Sequence, residues 1–142
     1  MRWIGCARIG CVVVSSIYLA LTLFTIKNVS NIYSFANESL SKLGYDVVTI
    51  DGSVDRATAR ATVGGRTGLQ GNYDPRELIE DEEGTKTVDT VRATAKQLLE
   101  DLGPQRLVAN LGEGLGGKES PELVRAFVDA VHEESEALIK SS

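Results

Sequence analysis

The stretch Leu69-Gln70-Gly71-Asn72-Tyr73-Asp74-Pro75 carries the chain from a predicted strand into a predicted helix. Asp74 can cap a helix, and Pro75 suits its first position. A second such stretch, Ala109-Asn110-Leu111-Gly112-Glu113-Gly114, follows the next predicted strand. In α/β proteins, the loops that follow parallel strands gather at one edge of the sheet and bind ligands there. The two stretches therefore predict a ligand site at the carboxyl edge of a parallel sheet.

Hydrophobic spacing on both sides of these stretches predicts alternating strands and helices. Strands are predicted at residues 46–50, 67–70 and 106–111, and helices at residues 34–43, 54–63, 85–102 and from Ser120 onward. Residues 46–50 are β-branched, as in a strand buried on both faces. Apolar residues in the 85–102 segment recur every three or four positions, so they share one helix face. Helical crossovers between strands imply a parallel sheet and an α/β fold.

The composition excludes several functional classes. The chain has 142 residues, enough for one domain or part of one, and a net charge of -5, which argues against nucleic-acid binding. Its only histidine is His132, and both cysteines, Cys6 and Cys11, fall near the start. A zinc site would therefore lack ligands, and no disulfide framework is expected in the rest of the chain.

The first thirty residues differ from the rest. Residues 9–26 are almost uncharged and are flanked by Arg8 and Lys27. This pattern is typical of a signal peptide or membrane anchor, although a buried strand or helix, or a non-native start, would also fit. We expect two parts, an apolar segment at 1–30 and a globular portion at 31–142.

A glycine-rich motif offers a different function. Residues 112–117 read G-x-G-x-x-G between a predicted strand and a predicted helix, as in dinucleotide-binding proteins. That motif needs an acidic residue at the end of a following strand, and no strand is predicted after the last helix. Dinucleotide binding is the weaker alternative.

The two opening stretches resemble the LQGN-x-DP and NLGHG motifs in the C-terminal part of the uroporphyrinogen decarboxylase family. Residues 102–104 and 127–132 also resemble that family, and the resemblance extends over about residues 31–138. It implies the C-terminal portion of a TIM (β/α)8 barrel, about three βα units with parallel strands. It also implies a cofactor-free, metal-free carboxy-lyase of haem biosynthesis that acts on a tetrapyrrole, uroporphyrinogen III, and yields coproporphyrinogen III. A cytoplasmic or plastid location and a homodimer are further implications.

The resemblance places six residues at the substrate: Gln70, Asn72, Asn110, Gly112, Glu113 and Gly114. Glu113 stands where the family has histidine, and its charge would repel an acidic substrate. We expect Glu113 to be protonated, to face a cation such as Lys118, or to lie away from the substrate. A complete barrel needs about 250 residues, so this chain alone is expected to be inactive. A non-catalytic, membrane-anchored interaction module is the alternative.

Overall fold

The computed structural model describes residues 12–13 and 46–141. Its elements in chain order are β1 (Val12–Val13), β2 (Val47–Thr49), α1 (Arg56–Val63), β3 (Gly68–Tyr73), a 3-10 turn (Pro75–Leu78), α2 (Val88–Leu102), β4 (Leu107–Leu111) and α3 (Pro121–Ser141). The helix predicted at residues 34–43 lies outside the described residues, as does nearly all of the 1–30 segment.

The strands form one parallel sheet in the order β1-β4-β3-β2. Val48 pairs with Leu69, and Leu69 pairs with Leu107, so the three predicted strands lie side by side. The predicted parallel α/β fold is confirmed. β3 continues to Tyr73, beyond the predicted end at Gln70, because its last residues pair with the end of β4.

The short strand β1 was not predicted as such. Val12 pairs with Val108 and Val13 with Ala109, which places β1 beside β4 at the end of the sheet. A strand was one of the interpretations of the apolar segment, and residues 12–13 match it. Within residues 12–13 and 46–141, no helix combines the length and the apolar character that a membrane crossing requires.

The core lies between the sheet and the helices. Leu69, Tyr73 and Ala109 point from the strands into a layer of buried side chains from α2 and α3. The Tyr73 ring meets Phe127 of α3 with 4.4 Å between ring centroids. Burial raises the pKa of the Tyr73 phenol, which therefore stays neutral. This packing holds the end of β3 against the helices and so fixes the position of the residues that follow it at the carboxyl edge of the sheet.

Helix starts differ from the sequence expectations at three places. Helix α1 begins at Arg56 because the carboxylate of Asp55 caps it, accepting the N–H of Thr58 at 2.8 Å. Helix α2 begins at Val88, three residues later than expected, because Thr87 and Thr90 cap it reciprocally. Asp74 and Pro75 do begin a helix, but it is a 3-10 turn of four residues.

Candidate functional site at the carboxyl edge of the sheet

Loops from β2, β3 and β4 meet at the carboxyl edge of the sheet. The N–H of Gly112 donates to the carbonyl of Tyr73 at 2.8 Å, which joins the β3 and β4 ends. The loop after β2 reaches across to the same place, because a Cβ on Gly112 would lie 3.1 Å from the Cα and N of Gly52. Only a glycine fits at position 112 without moving the β2 loop.

Gln70 and Asn110 lie on the sheet face that points away from the helices. Their neighbours Leu69 and Ala109 are fully buried on the helix side, and side chains alternate along a strand. Both polar side chains are half-buried. The Asn110 Oδ1 atom is shielded from solvent and has no hydrogen-bond partner within residues 46–141, and the same holds for Thr49 Oγ1. This face therefore carries uncharged polar groups with unused hydrogen-bonding capacity.

Asn72 occupies a different environment, with only 2% of its surface exposed. Its Nδ2 donates to the carbonyls of Asp51 at 2.8 Å and Val54 at 3.1 Å. Its Oδ1 accepts from Arg56 Nε at 2.8 Å, and Arg56 also lies 3.9 Å from the carboxylate of Asp101. The amide therefore holds the loop between β2 and α1 in place, and the predicted contact with substrate stays a prediction.

Glu113 is exposed on the turn after β4, beside the residues that follow β3. There the Asp74 carboxylate accepts from Arg76 Nε at 3.0 Å and from its Nη2 at 2.6 Å. The Asp74 hydrogen bond raises the pKa of the Arg76 guanidinium, and the negative charge of Glu113 raises it further. Glu113 thus acts on Arg76 through its charge, and the contact with Lys118 that the sequence suggested stays a prediction.

The glycine-rich loop directs its N–H groups at a side chain of its own. The Glu119 carboxylate accepts from the backbone of Gly116 and Gly117 at 2.8 Å and of Lys118 at 3.0 Å. These hydrogen bonds lower the pKa of Glu119. Dinucleotide motifs leave such N–H groups free for phosphate, so this loop lacks the arrangement that the weaker alternative requires.

The last predicted site residue, Gly114, has a positive φ of 81° and open space around its Cβ position. The edge also contains Arg56, Arg76 and Gly52, which the sequence did not single out. Arg76 could have been found from its spacing of two residues from the capping Asp74. The sequence carries no signal for Arg56, because its partner Asn72 is distant in the chain.

Among the described residues, no three His, Cys, Asp or Glu side chains converge as a metal site would require.

Comparison with known proteins identifies the family. The family model of uroporphyrinogen decarboxylase matches residues 14–134. Uroporphyrinogen decarboxylases of Mus musculus and Homo sapiens are each 46% identical over 104 residues. The enzyme of Salinibacter ruber is 40% identical over 101 residues.

The matched region is a minor part of those proteins. It covers 73% of this chain but 27% of the mouse and human enzymes, so the chain spans about a quarter of the relatives' length. A methyltransferase from Methanosarcina mazei superposes with a TM-score of 0.56 at 25% identity, covering 76% of this chain and 29% of that one. The parallel α/β arrangement and the sequence match agree, and the chain belongs to the uroporphyrinogen decarboxylase family, whose fold is a TIM barrel.

Proposed function

We propose that the carboxyl edge of this sheet forms part of the substrate site of a carboxy-lyase that converts uroporphyrinogen III to coproporphyrinogen III. The observation that carries the proposal is the position of the family-matching segments. The LQGN-x-DP motif spans the end of β3 and the two residues after it, the NLG motif spans the end of β4 and Gly112, and the two motifs lie side by side at one edge. That edge is where barrel enzymes bind substrates.

The residues at this edge suit a substrate with pyrrole N–H groups and carboxylate arms. The amides of Gln70 and Asn110 offer both donors and acceptors on the helix-free face of the sheet. Gly112 lets the β2 loop pack directly against the end of β4, which brings the loops of this edge together. Such groups position a substrate and stabilise charge as it develops, which is the protein's part in a decarboxylation that begins with protonation of a pyrrole carbon.

A chimeric enzyme tests the proposal most directly. The 104-residue region of the mouse enzyme that matches this chain would be replaced by the corresponding residues of this chain. We expect the chimera to form coproporphyrinogen, because the remaining barrel units would come from the mouse protein. The product would be measured by chromatography after oxidation to the porphyrin.

Variants in that chimera separate a substrate role from a structural one. Asn110→Ala should raise KM or lower kcat while the thermal unfolding midpoint stays near that of the parent chimera. Val108→Ala, on the same strand and face, is the matched control for loss of side-chain volume. A folded chimera that binds no uroporphyrinogen would contradict the proposed function.

A further inference from the structure

Arg76 is an exposed cation at an edge otherwise rich in negative charge. The Arg76 side chain is 84% exposed, whereas its partner Asp74 is 34% exposed. The charges of Asp74, Glu113 and Glu77 all act on it, and Lys86, a cation that acts on Asp74, is paired with Glu77 at 2.6 Å. An acidic ligand that approaches this edge therefore meets an exposed positive group in Arg76.

Some N–H donors of the Arg76 guanidinium remain unbonded. Asp74 engages Nε and Nη2, and Nη1 forms no hydrogen bond within residues 46–141. A guanidinium has five N–H donors in a planar arrangement that matches a carboxylate. The hydrogen bonds to Asp74 also fix the plane of the Arg76 guanidinium, so its unbonded N–H groups lie at the protein surface in one orientation.

The sheet register places Arg76 next to the Glu113 turn. Tyr73 pairs with Leu111, so the chain after β3 and the chain after β4 leave the sheet side by side. The N–H of Gly112 bonds to the carbonyl of Tyr73, which fixes that neighbourhood. The effect of Glu113 on the pKa of Arg76 agrees with this proximity.

We propose that Arg76 binds a carboxylate arm of a polycarboxylate ligand at this edge, and that the Glu113 carboxylate competes with that arm for the guanidinium. The inference rests on the proposed function, since it assigns the anion-binding residue of the same site. Glu113 then does more than repel an acidic ligand, because it also screens a cation that would attract that ligand.

Equilibrium binding to the full 142-residue chain tests this assignment. Two probes would be titrated, uroporphyrin, the stable oxidised form of the substrate, and citrate, a small tricarboxylate. Arg76→Ala should weaken binding of both about tenfold, as expected for loss of a charge-assisted hydrogen bond. Arg76→Lys should give an intermediate loss, because it keeps the charge but not the paired donors. Arg66→Ala is the matched control, since Arg66 is exposed just before β3 at the opposite edge of the sheet.

The role of Glu113 is tested by a double-mutant cycle. Glu113→Gln should tighten binding about threefold when Arg76 is present, a gain on the scale of an exposed charge interaction. In an Arg76→Ala background, the same change should give a clearly smaller gain. An equal gain in both backgrounds would mean that Glu113 acts on the ligand alone, and it would overturn the competition.

The two probes keep this inference separable from the proposed function. If uroporphyrin binds equally to wild type and Arg76→Ala, the Arg76 assignment is overturned and the proposed function stands. If citrate binding depends on Arg76 but uroporphyrin does not bind, the proposed function fails and Arg76 remains an anion-binding residue. If neither probe binds wild type or Glu113→Gln, the Arg76 assignment is wrong. Circular dichroism of each variant confirms that the fold is intact.

Discussion

Asn72 lies at the end of β3 and Glu113 lies just after β4, but their different surroundings give the two side chains different roles. Asn72 is 2% exposed and bonds to two carbonyls and one guanidinium. Glu113 is exposed and acts on Arg76 through its charge. A buried amide with satisfied partners stabilises structure, whereas an exposed carboxylate at a strand end is free to meet a ligand.

Replacing Asn72 should destabilise the fold. Asn72→Ala removes the two hydrogen bonds that Nδ2 donates to the carbonyls of Asp51 and Val54 and the one that Oδ1 accepts from Arg56. We expect a loss of about 2–4 kcal/mol in the free energy of unfolding, because buried groups would lose their hydrogen bonds. Urea denaturation measures it. Gln70→Ala, an amide on the same strand, is the control and should cost clearly less; equal losses would show that Asn72 does not hold the loop.

Replacing Glu113 should affect activity more than stability. In the mouse chimera, Glu113→His restores the family residue and removes a repulsive charge, so we expect kcat/KM to be maintained or raised. A gain of about 1–2 kcal/mol, roughly five- to thirtyfold, is the scale of one partly screened charge interaction. Glu100→His, exposed on α2, is the matched control. A large loss of turnover with the fold intact would give Glu113 an acid or base role of its own.

At the scale of single elements, the spacing of hydrophobic residues predicted the strands and helices more accurately than the polar residues predicted the helix starts. The β-branched run near Val48 and the three- and four-residue spacing from Val91 to Leu102 depend on burial, which is local and periodic. The start of α2 was missed because the cap uses two threonines, Thr87 and Thr90, without the acidic residue that usually marks it. The role of Asn72 was beyond the sequence, because Arg56 meets it only in the folded chain.

The caps should also make the fold sensitive to acid. Hydrogen bonds from the hydroxyl and N–H of Thr58 lower the pKa of Asp55. A carboxyl with a lowered folded-state pKa stabilises the protein above its unfolded value of about 4, and this stabilisation is lost as the pH falls through the folded pKa. The thermal unfolding midpoint should therefore fall between about pH 7 and about pH 3.

Substitutions at Asp55 isolate the part that this cap contributes. Asparagine caps helices as well as aspartate but does not titrate, so Asp55→Asn should match wild type at neutral pH and lose less in acid. Asp55→Ala should lower the midpoint at both pH values. If Asp55→Asn lost as much as wild type in acid, the acid sensitivity would arise elsewhere.

At the scale of the whole molecule, the sheet has helices on one side and half-buried polar and apolar side chains on the other. Gln70, Val108 and Asn110 lie on that second side, which in a closed barrel faces the interior. The chain spans 27% of the mouse enzyme. If the proposed function holds, we expect the site at this edge to need further groups, such as those that the chimera takes from the mouse enzyme.

The chain alone should not decarboxylate uroporphyrinogen. Purified protein would be incubated with the substrate, and coproporphyrinogen would be measured against a heat-killed sample, with the mouse enzyme as positive control. We expect no product above the heat-killed level, because positioning groups from other strands are needed to orient the substrate. Product above that level would show that this quarter of the barrel carries the chemistry by itself.

The contact between Gly52 and Gly112 restricts side chains at position 112 but not at position 52, so position 52 can be substituted for an experiment. A Cβ on Gly112 would lie 3.1 Å from the backbone of Gly52 and would push the β2 loop aside by a few tenths of an ångström, whereas a Cβ on Gly52 would meet nothing within 4 Å. A cysteine at position 52 could therefore carry a fluorescent label without displacing the Glu113 turn. Such a label would lie on the loop after β2, next to Gly112 at the end of β4, where a change in its emission would test for ligand binding. The same open space would let position 52 vary more widely than position 112 in related sequences.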